Sequence, residues 1–242
     1  MLIPLARFLQ NRGRNCRAAR ARRTIAGMPV LGIDVSHHQG EIDWDAVARS
    51  NVRFVFCKAT EGVIAIDPRF AGNWAALAAT PLLRGAYHFA RPGGGAPGAR
   101  AQAEHFAAVV GDCTGPRALP PVLDIETDGG LEPAAVVDWV RAFVSHAEQV
   151  FRREMIIYTG ALWRNTLDNP VVPELGTRML WTARYGDQQP VVPATWSRWD
   201  FWQFTDGVRG DVQVIPGVRG PVDCERFRGE LAELQAIATT PG

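Results

Sequence analysis

The 242-residue sequence is poor in cysteine, with residues at positions 16, 57, 113 and 224 and no CxxC pair. That spacing supplies neither a disulfide framework nor a zinc site, so free thiols are expected. Lysine is scarcer still, since Lys58 stands alone against 25 arginines. Coding bias is the cheapest source of that imbalance, but it singles out Lys58. No run reaches the 18–20 apolar residues that a membrane span needs. The N-terminus also lacks a secretory pattern. Its arginines follow the short apolar stretch Leu2–Leu9 instead of preceding it, and no apolar segment with a small-residue cleavage site follows Arg22-Arg23.

Net charge is only +1, yet residues 1–27 carry seven arginines and no acid. The remainder holds 19 basic residues against 25 acidic ones, a net of −6. A body of that sign repels polyanions, so nucleic acid is not an expected partner. With 47% hydrophobic and 21% charged residues, the chain buries roughly 70–75% of its unfolded surface as a soluble globular protein. One large domain fits the length. Residues 1–27 read as a basic tail, disordered or dispensable, an upstream extension to a chain that starts at Met28; residues 28–232 read as the domain, and 233–242 as a C-terminal tail.

From Val30 onward, short apolar runs alternate with helical stretches, the pattern of parallel strands joined by crossover helices. Strands are predicted at 30–35, 53–58, 82–89, 121–125, 155–158, 178–182 and 200–204, and helices at 44–49, 70–79, 99–110 and 133–151. Pro133 near the start of the last helix lacks an N–H that would be unpaired there anyway. The fold class is α/β.

The sharpest local motif is Pro120-Pro121-Val122-Leu123-Asp124-Ile125-Glu126, an apolar strand ending in two carboxylates that share one face. At the C-terminal end of a barrel strand, Cα atoms about 6.5–7 Å apart place both acids on one bond and let each shift the other's pKa. General acid catalysis needs one carboxyl protonated and one ionised. Two acids capping the helix near Glu132-Pro133 are the plainer reading of an isolated pair. A second strand end, Gly32-Ile33-Asp34-Val35-Ser36-His37-His38-Gln39, carries an acid and adjacent histidines. It fits either a turn held by Asp34 and Ser36 or, with His88, a metal-dependent hydrolase. Leu180–Tyr185, Trp199–Phe204 and Val222–Phe227 combine aromatics with Gln203 and Asp223, side chains that suit sugar rings and their hydroxyls, although core packing accounts for many of the eight tryptophans.

Together with Phe54–Gly62, Gly85–Phe89 and Ile157–Thr159, these segments resemble, in order, the lysozymes of glycoside hydrolase family 25, over nearly all of residues 30–228. The resemblance implies a single flattened (β/α) barrel of the TIM type and a muramidase. Its substrate would be cell-wall peptidoglycan, cut at the β-1,4 bond between N-acetylmuramic acid and N-acetylglucosamine. Glu126 then looks like the general acid and Asp124 its partner. Asp34 and Asp223 match two further acids of the cleft, and Tyr87, Tyr158, Trp181 and Gln203 match positions that shape a sugar subsite. Lys58 lies in a KATEG-like segment with no catalytic role assigned. No cofactor or metal is called for, and a monomer acting outside the cytoplasm is expected. The departures are Cys224-Glu225, where the family more often has an apolar residue then asparagine, and a longer 206–217 segment. Asp124 and Glu126 leaning together leave little room for a water, so retention of configuration is expected. A metal-dependent hydrolase on Asp34, His37 and His88 and a non-catalytic glycan-binding barrel are the competing readings.

Overall fold

The computed structural model describes residues 29–239 except 112, 114 and 116, so the basic tail 1–27 lies outside the described residues. In chain order the elements are β1 (Val30–Val35), α1 (Trp44–Arg49), β2 (Val52–Glu61), β3 (Ala65–Ile66), α2 (Phe70–Ala78), β4 (Leu83–Phe89), α3 (Gly95–Val110), β5 (Val122–Asp124), α4 (Pro133–Phe151), β6 (Ile156–Tyr158), β7 (Met179–Ala183), β8 (Phe201–Thr205), β9 (Asp223–Phe227) and α5 (Leu231–Thr239). Seven of the nine strands are those that the apolar runs predict, and α1 and α4 have the predicted bounds.

Strands β1, β2, β4, β5, β6, β7 and β8 run parallel to their successive neighbours, and β9 closes the ring between β8 and β1. The result is an eight-stranded barrel with β3 as an antiparallel appendage on β2. Uniformly parallel strands were the expectation, and β9 departs from it by pairing antiparallel with both neighbours. Two of its three inward positions, Asp223 and Glu225, are polar, so it lacks the apolar run that marks the other strands. The C-terminal tail expected from 233 also differs, because α5 begins at Leu231 and buries Leu234 and Ala238 against the barrel's inner cluster.

Period-two alternation sorts each strand between two cores. Phe54, Phe56, Leu83, Val122, Ile156, Phe201 and Phe227 fill the lower barrel. Ile33, Val55, Ala86, Leu123, Ile157 and Leu180 face outward to the helices, where α4 lays down Val136, Val140, Phe143 and Ala147. Helices α3 and α4 pack on the parallel side, whereas β7–β8 and β8–β9 are joined by segments without a helix. There Arg226 covers the outer aromatics, stacking over Trp202 at 5.0 Å and Phe204 at 4.2 Å. Gly32 and Gly85 are required by the inner core, because a Cβ would lie 2.3 Å from the Phe54 ring at one and 2.4 Å from the Phe56 ring at the other. Those rings floor the upper half of the barrel and leave room only above them.

Candidate active site

The same alternation that drives Phe54 and Val122 into the barrel carries the next inward positions to its upper mouth. Asp34 is the next-to-last residue of β1, Lys58 and Tyr87 lie near the tops of β2 and β4, and Asp124 ends β5 with Glu126 two residues beyond. Tyr158, Trp181, Gln203 and Asp223 sit at the same level on β6, β7, β8 and β9. All of them line one cavity of about 320 Å³, joined by Ser36, His38, Gln39, Phe89 and Tyr185 from the adjoining segments. All eight residues chosen from the sequence are therefore brought together.

Trp181 is the floor. It stacks on Phe56 with ring centroids 4.7 Å apart and meets Tyr158 edge-on at 4.7 Å and Tyr87 at 6.4 Å. At 2% exposure it offers no open face, so it shapes the base of the cleft rather than forming a broad stacking platform. Gln203 organises one wall. Its Nε2 donates to Asp34 Oδ2 at 2.8 Å and Asp223 Oδ2 at 3.0 Å, while its Oε1 accepts from the Tyr158 hydroxyl at 3.0 Å and the Tyr185 hydroxyl at 3.4 Å. Two acceptors on one side and two donors on the other assign the amide's orientation.

Asp124 is buried and Glu126 opens to the cleft. Burial, followed by the nearby Glu126 and Asp34 carboxyls, pushes Asp124 well above the usual carboxylate range. Glu126 is also raised, first by desolvation among the cleft walls and then by Asp34; a hydrogen bond with Asp124 and the charge of Lys58 pull it back. Asp124 Oδ1 has no donor from protein groups at all. An ionised Asp124 thus leaves a buried acceptor unsatisfied, whereas one proton shared with Glu126 satisfies both carboxyls. Burial and the Asp34 carboxyl push Asp223 up to about 8. The cleft therefore crowds four carboxyls around one ammonium group. Lys58 is fixed by Glu61, with Nζ 2.6 Å from Oε2, and lies 4.8 Å from the Phe89 ring centroid.

The donors of the metal reading do not converge. His37 Nδ1 is 2.8 Å from Asp67 Oδ2, and His88 points into the outer layer, between Thr60 Oγ1 at 2.8 Å and Gln102 Oε1 at 3.0 Å, with its ring stacked on Phe143. Among the described residues no three His, Cys, Asp or Glu side chains are arranged to hold a metal ion. Burial lowers the His88 pKa to about 4, as befits a neutral core histidine. Tyr185 is a further member of the site that the sequence motifs do not single out; its signal there is the inward phase it shares with Trp181 and Ala183.

The family model of Glycosyl hydrolases family 25 matches residues 33–211. Lysozyme M1 of Streptomyces globisporus is 37% identical over 216 residues, which are 86% of this chain and 71% of that protein. An N,O-diacetylmuramidase of Chalaropsis sp is 34% identical over 188 residues, 73% of this chain and 88% of that one. The crystal structure of the bacterial lysozyme from Streptomyces coelicolor has a TM-score of 0.81 at 35% identity, covering 89% of this chain and 100% of its own.

Proposed function

The chain belongs to family 25 of the glycosyl hydrolases, a glycoside hydrolase acting on peptidoglycan, and from that premise we propose that it cuts the β-1,4 bond between N-acetylmuramic acid and N-acetylglucosamine with net retention. The observation that carries this reading is the contact of Asp124 with Glu126 on one face of one strand end, at the closed side of a cleft floored by aromatics.

In the empty cleft the pair holds one proton between its two carboxyls. A muramic acid unit brings an acetamido N–H, and that donor favours an ionised Asp124. The shared proton is then left on Glu126, at the open side of the cleft, where a glycosidic oxygen can take it. Asp124 orients the acetamido group so that its carbonyl oxygen attacks the anomeric carbon from the face opposite the leaving group, and its negative charge offsets the positive charge that develops there. Water opens the cyclic intermediate from the leaving-group face, with Glu126 now accepting a proton. Two inversions give retention. An inverting enzyme keeps its carboxyls roughly 6.5–9.5 Å apart around a water, and two groups that share a proton leave no such space.

Asp34, Gln203 and Asp223 act together as a hydrogen-bonding wall for sugar hydroxyls or amides, and Tyr87, Tyr158 and Trp181 set the depth to which a ring sinks. The proposed cleft residues all come from one chain, which is compatible with the monomer we propose as the working form. No described helix is long and apolar enough to cross a membrane, and the enzyme meets its polymer at the wall, outside the cytoplasm. Residues 1–27 are an accessory basic segment that the barrel does not need for catalysis.

Digestion of purified peptidoglycan, followed by borohydride reduction and acid hydrolysis, tests the bond assigned. New muramitol ends are expected. New glucosaminitol ends place the cut at the other linkage, and no new reducing ends favour a glycan-binding barrel without catalysis.

A further inference from the structure

We propose that Glu225 is a positioning residue which stands protonated beneath Asp34 and donates its hydroxyl hydrogen to the Asp34 carboxylate, holding Asp34 ionised and turned toward Gln203. The alternation of β9 sends Asp223, Glu225 and Phe227 into the barrel, while Cys224 packs in the outer layer. Glu225 is registered opposite Gly32 on β1 and Gln203 on β8, one inward step below the pair formed by Asp34 and Asp223. It has no exposed surface, and no protein donor reaches either of its oxygens.

A carboxylate cannot be kept there. An isolated buried charge with no cation and no donor is among the most expensive arrangements a fold can hold, so the group takes up a proton instead. Burial, reinforced by the neighbouring Asp34 and Asp223 carboxyls, pushes its titration far upward. A protonated carboxyl brings its own requirement, an acceptor for its O–H, and the polar group against it is the Asp34 carboxyl. Asp34 then accepts from Glu225 below and from Gln203 Nε2, 2.8 Å away, on the other side. Burial is the larger effect and leaves Asp34 raised above the ordinary carboxylate range, and the two bonds offset part of that rise by favouring its ionised form. The Gln203 amide, drawn toward an ionised Asp34, is in turn fixed with its oxygen toward the two tyrosine hydroxyls.

The titratable groups facing this pair are Asp223 on β9, Asp124 and Glu126 at β5, and Tyr87 and Tyr158 on β4 and β6. The thiols of Cys57 and Cys224 lie near it on the outer faces of β2 and β9. Lys58 on β2 lines the same cavity and its charge bears on Asp124 and Glu126, while no cation is among the groups acting on Glu225 or Asp34.

The proposal rests on the glycosidase reading only for its effect on rate; its primary test is independent of activity. The Asp34 titration is followed by carboxyl ¹³C NMR in the full chain and in two variants. Glu225→Leu removes the donor, and the Asp34 pKa should rise by about one to two pH units, the worth of one hydrogen bond to a charged group. Glu225→Gln keeps a donor without a titrating proton and should leave Asp34 within about half a pH unit. An ionised Glu225 has the opposite sign. Either neutral replacement would then remove a negative neighbour and lower the Asp34 pKa. A fall in either variant, or no change in Glu225→Leu, overturns the proposal. Should Glu225→Leu fail to fold, the Gln variant alone still separates the two states by that sign.

In the rate arm, Glu225→Leu should lose about 10–100-fold in kcat on peptidoglycan with its acidic limb moved to higher pH, and Glu225→Gln should recover most of that loss. Equal losses in both variants reject the donor role. If the wild type releases no muramic acid ends, the glycosidase reading falls, and the direction of the Asp34 shift still accepts or rejects the pair.

Discussion

Replacing Glu126 by glutamine is expected to lower the rate on peptidoglycan by about 10²–10⁴-fold, the contribution of positioned proton transfer, while leaving the fold intact. Glutamine matches the size of the side chain but cannot protonate a leaving oxygen. The pH dependence follows from the direction in which the group is shifted. Desolvation among the cleft walls and the Asp34 carboxyl raise Glu126 above its ordinary value, so its acid form persists to higher pH than that of a free glutamate. Activity that needs this form is present below the raised pKa and is lost as pH climbs through it. The basic limb should therefore vanish from the residual activity of the variant. Stability follows the same sign. A carboxyl raised in the folded state contributes its full stability below its unfolded pKa and loses it as pH rises through the folded value. At neutral pH the wild type bears that penalty and the amide does not, so Glu126→Gln should melt no lower than the wild type. A pH–rate series with matched thermal melts checks both parts, and near-full activity in the variant removes Glu126 from the mechanism.

Asp124→Asn should cost a comparable amount, about 10²–10³-fold, through a different step. The carboxylate both holds the acetamido N–H and opposes the charge that develops beside it; the neutral amide keeps at most the first. A substrate arm makes the assignment specific. Glycan whose muramic acid is N-deacetylated has lost the internal nucleophile and its oriented N–H, so the wild type should already be slow on it. Asp124→Asn should then add little further loss, because variant and substrate remove the same interaction. Full additivity of the two losses, measured as kcat/KM on matched glycans, assigns Asp124 to some other task.

Much of this was legible in the chain because the barrel repeats one rule. Apolar strands such as 121–125 and 155–158 declare themselves by composition, and the residue at the end of an inward phase falls at the mouth, which is why Asp34, Asp124, Tyr158 and Trp181 share one cavity. Strand β9 was not legible by that rule, since its inward positions are Asp223, Glu225 and Phe227 and its direction is reversed. Helix α5 is nine residues long and shows its apolar side at Leu231, Leu234, Ile237 and Ala238, two turns that do not stand out from a tail. Of the histidines singled out in the sequence, His38 lines the cavity, but His37 and His88 do not reach it. Only the fold reveals that His37 belongs to Asp67 and that His88 belongs to the outer core with Gln102. Nor does any local pattern show that the one lysine stands among four carboxyls, a relation made by β1, β2, β5 and β9 meeting in space.

The claim that one strand end carries both the acid and the group that steers the substrate's own nucleophile is tested most directly by proton NMR of a digest followed from its first minutes. The account requires the new reducing-end signal to belong to N-acetylmuramic acid and to emerge as the β-anomer before mutarotation equilibrates it. An α-anomer as the initial product would contradict it, and would require a water-activating base across the cleft at Asp34 or Asp223.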